Sequence, residues 1–289
     1  MPKKYSLIEL EQLANSIRKD IITMLEHAGS GHSAGPLGLA DIFTALYFDI
    51  LRYDPRKPNW NERDIILLSN GHCIPVQYAT MAEAGFFDKK ELLTLRKFGS
   101  RLQGHPERLR LPGLENTSGP LGSGLSQGIG MALGLRLSKM PHRYVYVVLG
   151  DGELDEGNVW EAAMLAPKYK LNNLIAIIDR NNIQIDGPTE SVLPLENLKD
   201  KWEAFGWHVI EIDGNNIEAF IDAAAMAKAI VEKPVMIIAH TIPGKGVDFM
   251  EYDFHWHGKA PNHDEAVKAL NELRTLGGRI RSEHELSIS

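Results

Sequence analysis

The fold is decided between residues 144 and 183. There Tyr144-Val145-Tyr146-Val147-Val148-Leu149 runs into Gly150-Asp151-Gly152-Glu153-Leu154-Asp155-Glu156-Gly157, and Leu174-Ile175-Ala176-Ile177-Ile178 runs into Asp179-Arg180-Asn181-Asn182-Ile183. Each apolar run reads as a buried strand, and Asn158 to Tyr169 between them reads as a helix. The unit is strand, loop, helix, strand, loop, with oxygen ligands at the end of both strands. Such strand ends in parallel sheets are where ligands bind.

Gly150 and Gly152 flank Asp151, so the backbone can turn tightly and approach a ligand closely. A bare carboxylate there repels phosphate: two unit charges about 4 Å apart interact by roughly 4 kcal/mol at an effective dielectric near 20. Asp155 and Glu156 make the loop more negative still. The arrangement favours a hard cation between protein and phosphate. Asp151 offers a carboxylate oxygen, Asn181, thirty positions later, an amide oxygen, and a backbone carbonyl just after Asn181 a third. That set suits Mg²⁺ or Ca²⁺, while softer metals want Cys or clustered His, which the two loops lack.

The chain has 289 residues, 44% hydrophobic and 24% charged, with a net charge of −7. This is an ordinary globular profile with room for one large α/β domain, expected over 1–276, followed by a polar tail over 277–289. Without a long basic run, nucleic acid is not expected as a partner. The N-terminus, from Met1-Pro2-Lys3-Lys4 onward, leads into a charged amphipathic segment and not an apolar signal core. The most apolar helical stretch, Leu37 to Leu51, is interrupted by Asp41 and Asp49, so no membrane span is expected. A single cysteine, Cys73, excludes an internal disulfide and makes a cytoplasmic setting the default expectation.

Ser6-Leu7-Ile8-Glu9 fits a capping box opening a helix that Gly29 stops. Further helices are expected at about Leu37–Leu51, Val76–Ala84, after the glycine-rich stretch Gly119–Gly134, at Asn216–Val231 and at Asn262–Leu276. Strands are expected at Asp64–Ser69, Tyr144–Leu149, Leu174–Asp179, Val209–Asp213 and Val235–His240. Phe98–Ser118 and Ile242–Pro261 read as irregular. The alternation predicts a three-layer α/β/α fold with a mostly parallel sheet covered on both faces. Gly122-Ser123-Gly124-Leu125-Ser126-Gln127 lacks the third small residue of a dinucleotide fingerprint, and no Walker ending occurs.

Four histidines sit in loops beside glycine: Ser30-Gly31-His32, Gly71-His72, Gly104-His105-Pro106 and His257-Gly258. Loops at a sheet's rim are where functional groups collect. His255 and His257 lack a third ligand at motif spacing, which argues against a metal pair. The Gly-Asp-Gly segment with Asn about thirty residues on resembles the cofactor signature of thiamine diphosphate enzymes. Together with Ser30-Gly31-His32, Pro36-Leu37-Gly38, Ser69-Asn70-Gly71-His72, Gly104-His105-Pro106-Glu107 and Ser118-Gly119-Pro120-Leu121-Gly122, in that order, nearly the whole chain resembles transketolase.

The resemblance implies the diphosphate-binding domain of the thiamine diphosphate fold. It implies that His72 and Gly152 contact the cofactor diphosphate, with Glu156 near the same site, and that Gly119 and Leu121 touch its aminopyrimidine end. It implies that Asp151, Asn181 and the Ile183 carbonyl bind the divalent metal, Asn181 and His257 also meeting the cofactor. His32, His105 and His257 line the sugar channel and assist proton transfers, a task an imidazole suits; Lys245 belongs near the entrance. Ser33-Ala34-Gly35 departs from the Pro-Gly-Ala of many transketolases, which leaves donor preference open. Full transketolases continue into a second domain that supplies the glutamate activating the cofactor. This chain is therefore expected to be the N-terminal subunit of a split transketolase, paired with a C-terminal subunit, as a heterotetramer, acting on sugars or sugar phosphates. Deoxyxylulose-phosphate synthase and the alpha subunit of a 2-oxo acid dehydrogenase share the Gly-Asp-Gly motif but not the histidine set; a non-catalytic protein that kept the fold is the remaining alternative.

Overall fold

A computed structural model describes residues 5–286, with side chains to 275. Its strands are β1 (Ile65–Leu68), β2 (Val145–Gly150), β3 (Leu174–Arg180), β4 (Ile183–Gln184), β5 (Gly187–Pro188), β6 (His208–Asp213) and β7 (Val235–His240). Five of them form one all-parallel sheet in the order β1-β2-β3-β7-β6, while β4 and β5 make a small antiparallel hairpin just after Asn181. The helices are α1 (Leu7–Ala28), α2 (Ala34–Gly38), α3 (Ala40–Ala45), α4 (Ile74–Glu83), α5 (Ser123–Leu137), α6 (Gly157–Lys168), α7 (Thr189–Val192), α8 (Leu198–Ala204), α9 (Ile217–Ala229) and α10 (His263–Leu286).

Alternation along the strands creates two cores. Ile66, Leu68, Tyr146, Val148, Ile175 and Ile177 face a layer that includes α1, α3, α4, α9 and α10. Ile65, Leu67, Val145, Val147, Ala176 and Ile178 face α5, α6 and α8. A strand buried on both faces needs apolar residues throughout, which is why β2 and β3 read as unbroken apolar runs. The expected three-layer α/β/α class is what forms. In register, Gly150 pairs with Asp179, so the loops carrying Asp151 and Asn181 leave the same edge of the sheet side by side. Among the described residues, no helix is long and apolar enough to cross a membrane.

The capping box at α1 is present, with Ser6 and Glu9 each accepting from the other's backbone N–H, and Gly29 closes the helix at φ 66°. Two helices differ from expectation. The single helix expected at Leu37–Leu51 is divided into α2, α3 and a π-helical turn over Leu46–Ile50. The division falls where Gly38 lies against the backbone of Ile242, whose oxygen would stand 2.9 Å from a Cβ there. That long-range contact has no local signature. The last helix, expected to end at Leu276, continues through Gly277 and Gly278 to Leu286. Two interior glycines cost about 1 kcal/mol each, but the Arg, Glu and Leu that follow favour helix and no proline intervenes. Residues 287–289 of the expected tail lie outside the described residues, as do Met1 to Lys4.

Candidate active site

Four loops at the carboxyl edge of the sheet bring four histidines together. The His32 ring centroid lies 4.9 Å from His72, 5.7 Å from His257 and 6.5 Å from His105, and His72 and His257 are 5.0 Å apart. His72 follows β1, His32 precedes α2, His105 lies in the irregular 98–118 segment and His257 closes the long loop after β7. That loop is docked on the His32 loop: the Gly244 N–H donates to the Ala34 carbonyl at 2.9 Å and Ser33 Oγ to the Lys259 carbonyl at 2.6 Å.

Lost hydration favours the uncharged form of these imidazoles, although His105 itself is exposed. His32 is held down at about 4, first by burial and then by His257, His105 and Arg96. His72, His105 and His257 are all lowered with burial as the leading cause. A neutral ring presents one donor and one acceptor nitrogen, which suits ligand hydroxyls. Below pH 6.5 the unfolded chain takes up protons that folded His32 refuses until about pH 4. Stability is therefore lost as pH falls through that window, by up to about 3 kcal/mol for His32 at 1.36 kcal/mol per pKa unit. Denaturant midpoints of wild type should fall between pH 7 and 4.5, and those of His32→Gln should fall less; equal slopes would contradict this.

Beside the cluster stands the oxygen pair. Asp151 is not the exposed loop carboxylate that its glycine neighbours suggest: it is 1% exposed. Its Oδ1 accepts from the Gly152 N–H at 2.8 Å, and its Oδ2 from the Asn182 N–H at 2.6 Å and from Arg180 at 3.3 Å. Burial nevertheless pushes its pKa up to about 6. Asn181 donates its amide to Asp179 and accepts from the Ile183 N–H at 3.1 Å. Asp179, fully buried and near the Asp151 charge, is raised to about 7. A buried carboxylate cluster of this kind gains from a cation beside it.

Several buried polar atoms around this site have no hydrogen-bond partner among the described residues: Nδ1 of His32 and of His257, both amide atoms of Asn70, and Ser118 Oγ. Buried groups are rarely left unpaired, so their convergence from separate loops fits a polar ligand rather than packing alone. An open cleft of about 490 Å³, lined by Arg96, Gln103, His105, Glu107 and Ser118, leads to it.

Residues 10–277 match the family model for the transketolase thiamine diphosphate binding domain. The chain belongs to the transketolase family. It is 42% identical to the A-subunit of the apulose-4-phosphate transketolase of Phocaeicola vulgatus, over 95% of this chain and 97% of that one. It is 43% identical to the SqwG subunit of the 6-deoxy-6-sulfo-D-fructose transketolase of a Clostridium species, over 93% and 98%. It is 39% identical to human transketolase, over 94% of this chain but 43% of the human one. A transketolase structure from Pichia stipitis superposes with a TM-score of 0.87 at 34% identity, covering 94% of this chain and 41% of that one. The chain thus spans about two fifths of the length of that solved transketolase.

Against this transketolase fold the expected site residues fall as follows. His32, His72, His105 and His257 converge, and Asp151, Asn181 and Ile183 share one strand edge. Gly152 lies between Asp151 and the Gln184 side chain, and Gly119 packs near the His105 ring. Leu121 is 38% exposed, at the rim, and Glu156 is exposed beside Gly122. Lys245 is half-buried in a turn after Ile242. His255 stays outside the cluster, exposed and paired with Asp253 at 2.6 Å. Three further residues of the site had no role expected from the sequence: Arg180, which bridges Asp151 and Glu190, Asn70 and Arg96. Asn70 stands two residues before His72 in the Ser69-Asn70-Gly71-His72 motif and was legible there; Arg96, in the left-handed region at φ 59°, carried no such signal.

Proposed function

We propose that this chain is the cofactor-diphosphate subunit of a two-subunit transketolase, moving a two-carbon ketol unit from a ketose to an aldose. The observation that carries the reading is the convergence of four histidines on the sheet edge that holds Asp151 and Asn181. Asp151, the Asn181 amide oxygen and the Ile183 carbonyl would hold Mg²⁺ or Ca²⁺, an all-oxygen set of the kind hard cations take. His72 and Gly152 would meet the cofactor's diphosphate, with Glu156 near the same site, and Gly119 and Leu121 its aminopyrimidine end. Thiamine diphosphate supplies the carbanion chemistry when bound. His32, His105 and His257 would hydrogen-bond the sugar's hydroxyls and carry protons at the carbon–carbon bond being broken or formed, which their neutral state at pH 7 permits.

A partner subunit is supported by relatives of matching length that are named as subunits. Those two are named for apulose 4-phosphate and for a sulfonated fructose, which supports a ketose with an anionic end as the substrate class here. The heterotetramer rests on family analogy. Coexpressed with a C-terminal transketolase subunit, and given Mg²⁺ and thiamine diphosphate, the pair should transfer ketol units from a ketose phosphate panel. The chain alone should show under about 1% of that rate, since the protein must orient and activate the cofactor and the resemblance puts the activating glutamate on the partner. Turnover of pyruvate instead of ketoses would favour another thiamine diphosphate enzyme. Failure to form a complex or consume any ketose would defeat the proposal.

A further inference from the structure

Glu153 is a buried carboxylate that no role so far has used. It is 2% exposed, and the groups that meet it are neutral. Its Oε1 accepts from the Ser69 hydroxyl and from the Gly122 N–H, the latter at 2.7 Å. Its Oε2 accepts from the Gly150 N–H at 3.0 Å. Ser69 Oγ accepts in turn from the Gly124 N–H at 3.0 Å. One carboxylate therefore ties together the end of β1, the end of β2 and the loop that opens α5.

The loop needs that tie. The N-cap of α5 is Gly122, in the left-handed region at φ 81°, with no side chain to cap the helix. The first N–H groups of a helix require acceptors and favour negative charge nearby. Here the Gly122 and Gly124 N–H groups are met by Glu153 and Ser69, from other parts of the chain. The same loop carries Gly119 and Leu121, and Glu153 itself lies two residues beyond Asp151. The residues expected at the two ends of the cofactor are thus fastened to one another by a single anion.

We propose that Glu153 is a positioning residue: it caps α5 in place of a local side chain and fixes the Gly119–Gly124 loop against the Asp151 loop, so that the cofactor meets a preformed cradle. This rests on the functional reading above. A glutamine at 153 keeps the shape but loses the charge and turns one acceptor into a donor, facing either the Gly122 or the Gly150 N–H. Partners that orient a metal's ligands typically contribute 10- to 100-fold in metal affinity or activity, and the loop that Glu153 holds carries Asp151.

The test compares wild type, Glu153→Gln and Ser69→Ala, each with Mg²⁺ and the partner subunit, titrated with thiamine diphosphate by calorimetry. Hydrogen exchange of the 119–128 segment is followed in parallel on the cofactor-free chain. We expect the cofactor Kd of Glu153→Gln to rise at least tenfold and that of Ser69→Ala by about threefold. Exchange should accelerate in 119–128 but not in α9, and the cofactor KM should rise by more than kcat falls. A merely structural role would lower the melting temperature without shifting Kd. If wild type binds and both variants match it within twofold, this inference is overturned while the functional reading stands. If wild type itself fails to bind, both fall. Should Glu153→Gln not fold, Ser69→Ala decides.

Discussion

Asp151→Ala is expected to remove measurable thiamine diphosphate binding at any practical Mg²⁺ concentration, a loss well beyond the roughly 10- to 100-fold typical of a supporting residue. The carboxylate is the one anionic oxygen donor in the proposed metal set, and diphosphate beside a negative loop needs the cation. The substitution should also destabilise the fold. It leaves the partly buried N–H groups of Gly152 and Asn182 without this acceptor, and Arg180 with only Thr189 and Glu190, against about 1–3 kcal/mol for a fully buried group left unpaired. Removing a carboxylate whose pKa burial has pushed to about 6 offsets part of this. A net loss of about 1–3 kcal/mol follows, where an exposed loop carboxylate would give almost none. Calorimetry and thermal melts report the two effects separately. Normal cofactor affinity in the variant would remove Asp151 from the metal site.

His32→Ala should cost about 10²- to 10⁴-fold in kcat/KM for ketol transfer, the usual contribution of a positioned acid or base. His32 is central to the cluster, beside the rings of His72, His105 and His257, and its Nδ1 is buried with no partner among the described residues. The fold should survive, because the ring is only partly buried. Cofactor affinity should change far less than kcat/KM. Steady-state kinetics on the two-subunit enzyme measures the effect; a fall of less than fivefold would make His32 a wall of the channel and not a proton carrier.

The sheet was legible because β2 and β3 are apolar at nearly every position, and strands buried on both faces permit little else. The site was legible where several short motifs each placed a polar residue beside glycine or at a strand end: His72 after β1, Asp151 after β2, Asn181 after β3. Depth was not legible. Asp151 between two glycines looks like a surface turn, and its burial comes from the Asn182 and Arg180 segment folding over it. Nothing in the acidic run around Glu153 marks it as the residue that turns inward to meet N–H groups from residues 122 and 150. The break between α2 and α3 depends on a contact 204 positions away, between Gly38 and Ile242, which no local pattern records.

In the proposed function this chain is a half-site that grips the anionic end of thiamine diphosphate through a divalent cation. Titrating the cofactor calorimetrically into this chain mixed with a C-terminal transketolase subunit, first with saturating Mg²⁺ and then with the metal chelated, tests it most directly. Saturable binding with Mg²⁺, and its loss on chelation, is the expected result. Absence of binding at saturating Mg²⁺, or equal affinity after chelation, would contradict it.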